Sequence, residues 1–191
     1  MNLTSESPPA CRFCGWLRAV STGPVLAALI TAYIVFAIAM MLAIGLLGGL
    51  ETIPLDLRFW YEPSVVFATF DALGADGRYR YLVGTLTLDV VYPLIYSSMF
   101  AVWLSVLLPQ DTRSACALRL LPFAILAADL LENSSIALLL AIYPQHLDIL
   151  AWSATVFTAS KWSLAVVVIA NTLALTLKAA WAALARRLRS N

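Results

Sequence analysis

Residues 25–50 contain no charged side chain. A helix needs only about 20 apolar residues to cross a bilayer. Three further apolar runs also exceed that length: residues 81–108, 120–143 and 149–177. A water-soluble fold of 191 residues has no place for four such runs, because folding never removes all of a chain's surface from water. Composition agrees: 62% of residues are hydrophobic and 12% charged, against roughly 45–50% and 25% in soluble domains. Disordered chains show the opposite bias. Closed barrels also satisfy the backbone in lipid, but they need short alternating segments. These runs are continuous and rich in Leu and Ala. The expected fold is all-α, a four-helix transmembrane bundle.

The remaining segments follow. Residues 1–24 form an N-terminal segment, residues 25–177 the spanning domain and residues 178–191 a basic tail. The first apolar run exceeds a signal-peptide core of about 7–15 residues and ends in no A-x-A site, so it is read as a retained span. Residues 51–80 form a long connection. Within it, residues 63–73 read as a helix, with Pro63 in the first turn and Gly74 past the end. Its apolar side, Val66, Phe67, Phe70 and Leu73, is expected to lie along the membrane interface, with capping of an inter-helix cavity as the other reading. Residues 75–77 read as the turn into the second span.

Lys and Arg orient the chain. Eight fall in the N-terminal segment, the second connection and the tail: Arg12, Arg18, Arg113, Arg119, Lys178, Arg186, Arg187 and Arg189. Three, Arg58, Arg78 and Arg80, fall in the long connection, offset by Glu51, Asp56, Glu62, Asp71 and Asp76. The expected location is a bacterial inner (cytoplasmic) membrane, multi-pass, with both termini in the cytoplasm. Trp16, Trp60, Trp103, Trp152 and Trp181 lie near predicted helix ends, as an aromatic belt requires. Trp162 is mid-span, and reads either as packing between helices or as the wall of a ligand cleft.

Four charges have no topological role: Asp89, Asp129, Glu132 and Lys161. Each costs about 2.5–3.5 kcal/mol on insertion scales, so such groups face the bundle interior and find partners. Counted at 1.5 Å per residue from the span ends, Asp89, Glu132 and Lys161 fall within roughly one turn of the same depth. Asp129, Glu132 and Asn133 share a helix face, as do Asp89, Tyr92 and Tyr96, and Thr158 and Lys161. Tyr33 of the first span is expected at the deeper edge. Pro93 removes the hydrogen bond that the Asp89 carbonyl would receive, leaving that oxygen to be satisfied elsewhere. Three carboxyl groups face one ammonium, so the cluster must share protons as well as charge.

Such a set suits acid–base chemistry. The expected acid–base residues are Asp89, Asp129, Glu132 and Lys161, and the expected ligand-binding residues Tyr92, Tyr96, Asn133, Thr158 and Trp162. The substrate would be a lipid-like or other membrane-soluble small molecule. Two other readings stay open: a proton-coupled transport component, and an accessory subunit whose buried charges only fasten helices. Expected partners are the bilayer, that small molecule and, for so few spans, a second copy of the chain. A net charge of +1 gives no footing for nucleic acid. No cofactor is indicated.

The patterns Leu73-Gly74…Gly77-Arg78…Tyr81, Asp89-x-x-Tyr92-Pro93-x-x-Tyr96, Asp129-x-x-Glu132-Asn133 and Thr158-x-x-Lys161 together resemble a family of small, uncharacterised bacterial four-span membrane proteins, over residues 63–161. The resemblance implies the architecture and no activity. Cys11-Arg12-Phe13-Cys14 has the spacing of half a zinc site or of a redox pair. No second pair completes a zinc site, and the motif is read as having no functional role. No metal site is expected. Cys116 reads as an ordinary small residue near the inner interface, and His146 as a solvated loop residue. HExxH, P-loop and GxGxxG motifs are absent from the sequence.

Overall fold

The computed structural model describes residues 12–46, 54–108 and 112–190; Cys11, Glu51, Pro109 and the end of the first expected span lie outside them. The described chain is helical, with no strand. The helices are α1 (Arg12–Val20), α2 (Gly23–Leu46), α3 (Pro63–Leu107), α4 (Arg113–Ile142) and α5 (Asp148–Ser190), with a single 3-10 turn at Leu55–Leu57. Four of them, α2 to α5, are long and apolar enough to cross a membrane. The all-α transmembrane bundle expected from the sequence is therefore the fold.

Helix α4 is the hub, packing against both α3 and α5, while α2 packs against α3. The burial pattern follows. Helix α4 turns Ile125, Ala128, Asp129, Glu132, Asn133, Ile136 and Leu139 inward, whereas no described side chain of α2 is fully buried. Helix α4 starts on an N-cap, with the Thr112 hydroxyl accepting from the Ala115 N–H at 3.2 Å, which satisfies one orphan donor of the first turn. Arg119, wholly buried, donates to the carbonyl of Leu108 at the end of α3. A cation at a helix C-terminus meets both the dipole and the unpaired carbonyls there.

Helix α3 is two arms joined at Gly74, whose φ of 61° and ψ of −176° are non-helical. That region of backbone space is open essentially to glycine alone. The expected turn at residues 75–77 is corrected: the bend is Gly74, and residues 75–77 are already helical. Gly77 has a separate duty. A Cβ there would sit 3.0 Å from the Leu73 Cβ, so its bare backbone lets the arms fold closely. Arg78 closes the corner, donating to the Phe70 carbonyl at 2.9 Å and lying 4.0 Å from the Tyr143 ring centroid.

The short arm, residues 63–73, does not present its apolar side to the membrane interface. Val66 and Phe70 are wholly buried, and with Phe67 they pack on Ile136, Leu139, Leu140, Ala151 and Ala154. Removing side chains of that size from water is worth about 1.5–3 kcal/mol each, and the exposed ends of α4 and α5 provide the surface. His146 is exposed, as expected for the loop, but stacks on Phe67 at 3.9 Å between centroids.

The termini hold two further corrections. The N-terminal segment, residues 1–24, contains a helix that the sequence reading does not mark. It carries α1, which buries Cys14 and Leu17 against a cluster containing Ala101 and Val102. Cys116 is not an isolated small residue either, because it forms a disulfide with Cys14. The C-x-x-C spacing misdirected the reading: the partner of Cys14 lies 102 residues away, a pairing that only the packing of α1 on α4 creates.

Candidate functional site

Proline at position 93 should leave the Asp89 carbonyl without its helical partner. The structure supplies one from the next helix: the Asn133 side-chain amide donates to the Asp89 carbonyl at 2.6 Å. Asn133 is buried, and the bond fixes α3 against α4 at the level of the acidic cluster.

One turn away the charges meet. Lys161 Nζ lies 2.6 Å from Glu132 Oε2 and 3.4 Å from Asp129 Oδ1. Glu132 is wholly buried, and Asp129 and Lys161 nearly so. The second oxygen of Asp129 accepts from the Tyr96 hydroxyl at 2.5 Å. One ammonium is thus divided between two carboxylates, and a tyrosine takes up part of the remaining demand. In a low-dielectric interior, ions left unpartnered cost several kcal/mol, so a shared arrangement of this kind needs every contact.

Helix α2 reaches the cluster through aromatic rings. Tyr92 donates to the Tyr33 hydroxyl at 3.0 Å; the two rings stack at 5.6 Å, and Tyr92 meets Tyr96 edge-on at 5.4 Å. Tyr33 therefore sits where the sequence placed it, at the edge of the cluster.

The segment joining α2 to α3 closes the site at the loop end. Its Leu55 N–H donates to Tyr81 at 3.2 Å, Trp162 donates to the Asp56 carbonyl at 3.0 Å, and Thr155 donates to the Tyr61 carbonyl at 2.8 Å. The Tyr61 hydroxyl and Thr158 Oγ1 share a hydrogen bond of 3.0 Å. Leu55 and Tyr61 are buried, which is why a polar-looking connection folds down onto the bundle. Burial raises the Asp56 carboxyl above its usual range, opposed by the Lys161 charge. Burial likewise pushes the Tyr61 hydroxyl up.

These elements enclose a cavity of about 340 Å³. Its polar wall comprises Asp56, Asp89, Asp129, Lys161, Tyr92 and Tyr96. Helix α2 borders it with Tyr33 and Met40, and α5 with Trp162, Val168 and Ile169. Extensive packing joins α2 to α3 and α5 to α3 and α4, but not α2 to α5, so the cavity lies between two helices that are not closely packed on each other.

The nine residues singled out by sequence occupy two layers. Asp89, Tyr92, Tyr96, Asp129, Lys161 and Trp162 line the cavity. Glu132, Asn133 and Thr158 stand behind the wall, holding Lys161, the Asp89 carbonyl and Tyr61 respectively. Trp162 is a wall residue as well as a packing one, 36% exposed and bonded to the loop.

Two residues were missed. By sequence Asp56 reads as one of the acids that offset the basic residues of the long connection, and Tyr61 carries no distinguishing pattern. A signal for Asp56 is present in Leu55-Asp56-Leu57, where leucines flank an acid within a nominally polar connection. Among the described residues no group of three His, Cys, Asp or Glu is placed to hold a metal ion. Compared with protein-family models, curated proteins and solved structures, the chain matches none.

Proposed function

We propose that this membrane protein binds a lipid-like or other membrane-soluble small molecule in the cavity between α2 and α5, and acts on it by acid–base chemistry. The observation that supports this reading is the placement of Asp89, Asp129, Lys161, Tyr92 and Tyr96 on one cavity wall of about 340 Å³. A pair of buried ions that only fastened helices would have no need of an adjoining space. Asp89 and Asp129 are the proposed proton-exchanging groups. Lys161 lies 3.4 Å from Asp129, Tyr96 donates to it, and Tyr92 offers a hydroxyl to the ligand. Glu132, Asn133 and Thr158 are positioning residues, since each acts through another side chain.

The proposed setting is the bacterial inner membrane with both termini in the cytoplasm, supported by the eight basic residues on that side. The fastener reading is favoured by one observation, that Glu132, 2.6 Å from Lys161, does not itself line the cavity.

Native mass spectrometry of gently extracted protein separates the two. Wild type is expected to retain a lipid-like mass, and Asp89→Asn to stay folded and lose it. Unfolding of Asp89→Asn, Glu132→Gln and Lys161→Met alike would leave only the fastener.

A further inference from the structure

The charge distribution around the cavity identifies what kind of molecule it takes. Four carboxyl groups, Asp56, Asp89, Asp129 and Glu132, surround a single ammonium, that of Lys161. Lys161 is committed to Glu132 at 2.6 Å and to Asp129 at 3.4 Å, and Asp129 also receives the Tyr96 hydroxyl. Neither Asp56 nor Asp89 has an ion-pair partner among the described residues, and both line the cavity. The Asp89 carbonyl is held by Asn133, and Asp89 itself borders the open space.

We infer that the cavity receives the positive head of an amphiphile, an organic ammonium on an apolar chain, with Asp56 and Asp89 as its counter-ions. The inference rests on the proposed binding reading and names the ligand class. Three features support an organic cation over a bare metal ion. No three ligating groups converge among the described residues. The rings of Tyr33, Tyr92 and Trp162 border the same space, and aromatic faces attract ammonium groups, most strongly when desolvated. Beyond them the wall is aliphatic, with Met40, Val168 and Ile169. An apolar chain can follow these residues between α2 and α5 into the lipid, while the head remains beside the acids. Asp56 sits on the connecting segment, its carbonyl tied to Trp162, so it reaches the cavity from outside the spanning helices.

The test uses the full chain in maltoside micelles, which carry no ammonium. Radiolabelled dodecylamine is titrated, and dodecyltrimethylammonium, dodecanol and dodecanoate are added as competitors. Saturable binding is expected, with dodecyltrimethylammonium competing at least ~tenfold better than dodecanol, a difference of about 1.4 kcal/mol, and dodecanoate competing least. Asp89→Asn and Asp56→Asn are each expected to weaken dodecylamine about tenfold without lowering the melting temperature. Should Asp89→Asn fail to fold, Asp56→Asn, outside the spans, carries the test. Undiminished binding in the folded variants overturns the inference. So does equal competition by dodecanol; if Trp162→Ala then abolishes that competition, the cavity reading survives without its cation. Absence of saturable binding by any probe overturns both.

Discussion

Pro93 and Asn133 act as a coupled pair across two helices: the first frees the Asp89 carbonyl, the second takes it. Asn133→Ala would leave a buried carbonyl unpaired, at a cost of about 1–2 kcal/mol. In a Pro93→Ala background the helix can supply its own N–H to that carbonyl, so the same substitution should cost at least ~0.5 kcal/mol less. Unfolding of the four proteins in mixed micelles checks this. Equal costs in both backgrounds would mean that Asn133 acts by packing alone. Asp56 gives a second prediction. Burial raises its carboxyl above the ordinary value of 3.8, so the folded protein keeps a proton that the unfolded chain releases. Stability contributed by this group is therefore full below 3.8, declines as pH rises through the folded value, and stays lower above it. Asp56→Asn should remove that part of the decline and raise the melting temperature at neutral pH. A melting profile parallel to wild type across the range would contradict it.

At the scale of elements, the corner of α3 is the informative case. Pro63 and Gly74 bracket the short arm in the sequence, and the chain bends at Gly74 with φ 61°. What periodicity could not supply was the direction of the arm. Its apolar side suits lipid and protein equally, and only the uncovered ends of α4 and α5 select protein. Gly74→Ala places a Cβ in backbone space essentially reserved for glycine and should cost about 1–3 kcal/mol. A change in melting temperature within error of zero would show that the corner relaxes freely. Helix α1 was illegible for a related reason. Its nine residues are too few to be stable alone, and they gain order from burying Cys14 and Leu17 on the bundle.

At the scale of the whole molecule, orientation sets the redox state of Cys14 and Cys116. The basic residues point to termini in the cytoplasm, yet α1 and α4 are bridged by Cys14–Cys116 on that same side, and disulfides persist in oxidising compartments. The proposed orientation predicts that both cysteines are thiols in living cells, trapped by acid quenching, and pair only after extraction. It also predicts, in a cysteine-free background, that an impermeant maleimide labels Pro144→Cys from outside intact cells and spares Arg189→Cys. The reverse labelling would put the bridge in an oxidising space and overturn the orientation.

Composition and period alone determined the class and the number of spans, because lipid demands long apolar helices whatever surrounds them. The same reasoning flagged Asp89, Asp129, Glu132 and Lys161, since a charge at that depth is expensive anywhere in a bundle. It also named the orphan carbonyl at Asp89, a covalent consequence of Pro93. Only the tertiary structure decided that Asn133 answers that carbonyl, that Glu132 stands behind the wall while Asp89 faces the cavity, and that Asp56 and Tyr61 fold down to join them. Those outcomes depend on how helices rotate about their axes and where a connection packs. Neither is encoded in the spacing of residues along one helix.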